Sequence, residues 1–211
     1  MTGSEAVGDL LAALSYGERA ALRRAEAIVD LAPDDRARKQ QLHVAALERD
    51  NAALLEARAR ELAGPEREDA YAPFFDAFFE GTEPRDWVEA QAWHYVGDAI
   101  VRDFADVVLP RLDRVSAEIV RRALIERDEQ ETYALDDLTR QIEEDPGAGE
   151  RVAAYARRII GEALTQTRRA VTENEAIGNL LGGAEEQKRL FLDLLGRHRE
   201  RLDRLGIELV D

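Results

Sequence analysis

The chain has 211 residues and a formal net charge of −15, from 29 basic and 44 acidic side chains, so most of its surface repels nucleic-acid phosphates. It contains no cysteine, which excludes disulfides, thiolate metal sites and thiol catalysis. Apolar residues reach 45 %, enough for a real core, yet no stretch approaches the roughly 18 apolar residues of a membrane span.

Ala, Leu, Glu and Arg dominate, and these residues lose little entropy in a helix. Residues 5–31 read as a first helix, with Leu11, Leu14, Leu22, Ala25 and Ile28 recurring at helical spacing and Pro33 ending it. Its opening, MTGSEAVGDLLAALSYGERAALRR, lacks a basic start and meets Glu18 and Arg19 early, unlike a secretory signal, so a cytoplasmic protein is expected. Asp34 reads as the N-cap of a second helix over about 35–63, whose stripe is Val44, Leu47, Leu54, Leu55 and Leu62 and whose stop is Gly64-Pro65. Residues 64–83 carry Tyr71, Phe74, Phe75, Phe78 and Phe79, far too aromatic for a solvated linker, and read as a packed crossover with room for a short helix. Thr82 is expected to cap a third helix, with Pro84 in its first turn, running to about 109. A fourth spans about 111–144, a fifth about 148–178, and Gly182-Gly183 separates it from a sixth over about 184–205.

This order implies an all-α fold: a ferritin-like four-helix bundle with one longer second-to-third connection and two additional C-terminal helices. The bundle domain is expected over residues 1–181, with the core four helices at about 5–144, and residues 182–211 as a C-terminal helix and tail packed on it.

Polar residues stand on apolar stripes where a plain bundle would place Leu or Ala. They are Glu18 on the first helix, Glu48 and Asn51 on the second, Asp98 on the third, and Glu126 and Glu129 on the fourth. Burying an unpaired carboxylate is expensive, so inward-facing acids on each of four helices call for a compensating charge. One candidate is a shared cation, because residues at i and i+3 face the same way and can grip one ion together. The other is a buried salt-bridge network, for which Arg19, Arg49, Arg102, Arg122 and Arg127 are available. His94, one turn before Asp98, can face that acid; His43 and His198 have no such spacing.

The segments SYGERAAL (15–22), ALERDNAALLEARARELAG (46–64), YVGDAIVRDF (95–104), ALIERDEQE (123–131) and IIGEALTQTRR (159–169) resemble the MiaE-like branch of the ferritin-like superfamily. That branch is named for the tRNA 2-methylthio-isopentenyladenosine hydroxylase. The resemblance covers roughly residues 5–180. It implies a non-haem di-iron centre that activates oxygen, hence a monooxygenase or hydroxylase, and places metal ligands at Glu18, Glu48, Asn51, Asp98, Glu126 and Glu129. No catalytic side chain beyond the ligands is assigned. The family has His where this chain has Asn51 and Glu129, which turns the donor set to oxygen and favours harder ions such as manganese over iron. The resemblance also implies a redox partner and, through the family name, tRNA modification, which the acidic surface opposes.

The rival expectation is a metal-free scaffold that keeps the bundle and acts as a structural or interaction protein, self-associating as a homodimer or holding a partner through its charged helices. No phosphate-binding Gly-rich loop and no nucleophile elbow is present.

Overall fold

The computed structural model describes residues 3–64 and 67–207, and these residues contain helices and no strand. Helix α1 (Gly3–Ile28) and helix α2 (Asp35–Ala63) form the most extensive helix pair. The turn between them ends at Asp34, whose carboxylate accepts from the Ala37 amide at 2.8 Å, as its position before the helix suggests. Gly64 closes α2 at φ +85°, a backbone region that disfavours side chains, and its N–H reaches the Arg60 carbonyl at 3.1 Å. Pro65, the other half of the expected stop, lies outside the described residues, as do residues 208–211 of the tail.

The crossover is packed, as its aromatic content requires. It contains helix α3 (Ala72–Gly81), which lies on α1 and on α8 (Pro146–Glu173). Arg24 of α1 holds its end, donating to the Thr82 carbonyl at 2.6 Å and to the Phe79 carbonyl, with its guanidinium over the Trp93 ring. The Tyr155 hydroxyl of α8 donates to the same Thr82 carbonyl at 2.6 Å.

The third long helix starts later than its sequence suggests. Thr82 is buried, its hydroxyl donating to the Phe78 carbonyl at 2.6 Å, and Asp86 is the cap, accepting from the Glu89 amide at 2.8 Å. Pro84 therefore precedes the helix, which runs as α4 (Trp87–Ala92), a π-helical segment (Trp93–Gly97) and α5 (Asp98–Val108). The expected fourth helix is interrupted: α6 (Arg114–Val120) passes into a π-helical segment (Arg121–Ile125), and α7 (Asp128–Glu144) starts after a break at Glu126-Arg127. The expected fifth helix is also split, because Asn174 leaves the helical region and caps α9 (Glu175–Leu181) by accepting from the Ile177 amide at 3.1 Å.

Helix α10 (Ala184–Arg204) docks on α5. Its anchor is a two-pronged ion pair in which Arg201 donates to Asp103 at 2.6 and 2.8 Å, both side chains being buried. Tyr95 adds a hydrogen bond from its hydroxyl to the Arg201 carbonyl at 3.0 Å.

The core falls into two large apolar clusters. One is built on Trp87, Trp93, Leu138, Tyr155 and Ile159, the other on Leu10, Leu11, Leu55, Val120 and Leu124. Each of the four long helical runs contributes to both, and between its two contributions carries a polar residue: Glu18, Glu48, Asp98 or Arg127. A polar layer thus crosses the bundle at mid-height.

Asp103→Ala would strand the buried Arg201 guanidinium. The expected loss is about 3–5 kcal/mol in chemical denaturation, with amides of α10 exchanging faster than those of α2.

Candidate functional site

Arg127 is the centre of the polar layer. Its guanidinium donates to Glu48 Oε1 at 3.1 Å and to Glu18, and it also reaches the Ala123 carbonyl at 2.8 Å through Nε. The side chains of Arg127, Glu18 and Glu48 are 11 %, 4 % and 2 % exposed, so the charges meet largely out of water.

A local backbone device aims Arg127 inward. The π-helical segment ends at Glu126, with φ −80° and ψ 64°, and the Arg127 amide donates back to the Ile125 carbonyl at 2.9 Å. These are the features of an inverse γ-turn. It rotates the chain between α6 and α7, so that Glu126 and Glu129 are exposed while Arg127 is drawn in and Gln130 is buried. The inward i, i+3 pair on this run is therefore Arg127 and Gln130, one residue beyond the expected one.

The layer extends through Asp98. Its carboxylate accepts from Gln130 Nε2 at 2.7 Å and faces His94 Nδ1 at 2.9 Å. His94 Nε2 lies 3.0 Å from Gln41 Oε1, whose amide nitrogen in turn donates to the Ala25 carbonyl at 2.9 Å, so both ring nitrogens point at acceptors. The i, i+4 spacing of His94 and Asp98 foreshadows this contact. Gln130 is not apparent in the sequence, since its inward facing depends on the γ-turn; Gln41 was missed although it lies on the stripe of Val44 and Glu48 at helical spacing. Of the six expected ligands, Glu18, Glu48 and Asp98 come together around Arg127, Asn51 is half-buried, and Glu126 and Glu129 face solvent.

Glu48 is the least comfortable member. Its Oε2 is buried without a hydrogen-bond partner, and burial pushes its carboxyl well above its ordinary value, with Glu18 and Asp98 adding to the rise and Arg127 opposing it.

The fold agrees with a family model that matches residues 2–184, a ferritin-like domain of actinomycetes. The chain belongs to this ferritin-like family. Among curated proteins, none matches it.

A ferritin-like bundle raises the question of a metal pair at this height, and the donor set does not fit one. The pair on the 114–144 run is a guanidinium and an amide, both expected carboxylates of that run, Glu126 and Glu129, are in solvent, and Arg127 already supplies positive charge between Glu18 and Glu48. Among the described residues, no group of three or more His, Cys, Asp or Glu side chains is arranged to hold a metal ion.

Beside the polar layer lies an apolar cavity of about 140 Å³. A smaller space of about 30 Å³, bounded by Glu18, Asp98 and Arg127, shares with it the walls Leu14, Phe75, Phe78 and Val101.

Arg127→Met would leave Glu18 and Glu48 facing each other uncompensated, with an expected loss of about 3–5 kcal/mol; adding Glu18→Gln and Glu48→Gln should recover most of it, read from urea unfolding. Because the folded value of Glu48 is raised, the native state holds its proton more tightly. Its contribution is full at low pH and is lost as pH rises from about 4.5 through the folded value. Glu48→Gln should therefore flatten the fall of melting temperature as pH rises above about 4.5.

Proposed function

We propose that this ferritin-like protein uses Arg127, in place of metal ions, as the charge at the centre of its bundle, and that it serves as a metal-independent scaffold. The observation that carries this reading is the guanidinium set between Glu18 and Glu48, with the i, i+3 position beside it taken by Gln130.

The chemistry follows from that substitution. A redox-active metal pair needs anionic or imidazole donors and open positions for oxygen. Here an immovable positive charge occupies the space between two of the acids, and its affinity for its proton is raised by Glu18 and Glu48 despite the opposing effect of burial. Arg127 cannot leave as a neutral group to admit a cation. The MiaE-like resemblance, with its di-iron hydroxylation, redox partner and tRNA, is on this reading an inheritance of fold rather than of activity. The scaffold reading keeps the bundle as a platform for self-association or partner binding.

Elemental analysis of protein purified without an affinity metal column, before and after anaerobic exposure to ferrous iron, tests this. The expected outcome is substoichiometric iron and manganese in both samples and a melting temperature indifferent to chelator. Arg127→Ala is expected to gain affinity for divalent ions, seen as a melting temperature that rises with added manganese. One or two ions per chain surviving gel filtration in the unmodified protein would sink the proposal.

A further inference from the structure

The cavity of about 140 Å³ is bounded by α1, α3, α5, α8, α9 and α10, and neither Arg127 nor any of the central acids lines it. Its walls are Leu, Val, Ile, Ala and Phe side chains, with polar side-chain atoms brought to it by Gln166 and Thr167 on α8 and by Tyr71. The Tyr71 hydroxyl is already engaged, accepting from the Asn174 amide at 2.7 Å. A closed apolar cavity of similar size, about 150 Å³ in the best-studied engineered case, takes up benzene. This one is partly open, and its walls offer few polar partners to water and no counter-ion to a charged group.

We infer that this cavity is a binding site for a small uncharged molecule with a compact hydrocarbon body, a single ring or branched chain of about six to eight non-hydrogen atoms. The volume sets the upper size and the apolar walls set the class. Gln166 is engaged by Arg169 at 2.8 Å and Glu162, so on the α8 wall Thr167 is the residue nearest to hand for one hydroxyl substituent of such a ligand. Against the other wall, Phe75 and Phe78 separate the ligand from the Arg127 layer, since both side chains bound the cavity and the smaller space beside that layer. The inference is independent of the metal question, because it uses none of the residues that decide it.

The test is titration of the full chain with toluene and p-cresol, followed by calorimetry and by the melting temperature, with benzoate as the charged control. Expected are saturable binding of both, a rise of a few degrees in melting temperature, and no saturable binding of benzoate. Ala163→Phe fills the cavity from α8 and should weaken toluene binding about tenfold or more, while Leu192→Ser on the exposed face of α10 should leave it unchanged. Should Ala163→Phe fail to fold by circular dichroism, Ala13→Leu fills the same space from α1 and carries the same expectation. No saturable binding by the unmodified protein, undiminished binding in the folded filling variant, or benzoate bound as tightly as toluene would each overturn it.

Discussion

The structure depends on how one guanidinium is held. Four helical runs bring Glu18, Glu48 and Asp98 to mid-height of the bundle, where water cannot screen them, and Arg127 is set against them. In that environment an acid without a counter-charge has two outcomes: it takes up a proton or it pulls the helices apart. Both remedies are in use, a cation beside Glu18 and a raised proton affinity at Glu48.

Such a layer is a poor source of net stability. Well-packed apolar side chains in the same places would do as well or better, because they carry no desolvation cost. Its effect is on alignment. The two apolar clusters on either side are made of Leu, Ala, Val and aromatic residues that tolerate sliding, whereas a shift of any run by one turn would strand an acid in one cluster or Arg127 in the other. The ion network therefore sets the register of four helices that their apolar stripes define only loosely. The Arg201–Asp103 pair does the same for α10, outside the four.

Much of the fold was legible because its signals are local. Pro33 and Asp34 mark a helix boundary through fixed φ and a capping carboxylate, and the aromatic run 71–79 betrays burial by composition alone. Glu18 and Glu48 could be read as inward because each lies in an unbroken helical period, and Asp98, just after the π-helical Trp93–Gly97, from its spacing to Val101 and Ala105 on the helix that follows. The fourth run could not. An inverse γ-turn at Glu126 needs neither glycine nor proline, and the surrounding IERDEQE is made of good helix formers, so nothing in the residues announces the interruption. Arg127 was visible as a partner for the acids; that it displaces Glu126 from the centre follows only from the backbone.

That turn has a consequence for how related chains are compared. Sequences are matched column by column, and a column is presumed to hold one spatial position. In this bundle the presumption is strained over a few residues: helical spacing points Glu126 inward, yet it faces solvent and the inward position is held by the next residue, Arg127. A chain with a single-residue deletion near 121–127 would look more divergent in the columns than in space. Ancestry along this stretch is better traced by the phase of the helix than by the letter in the alignment.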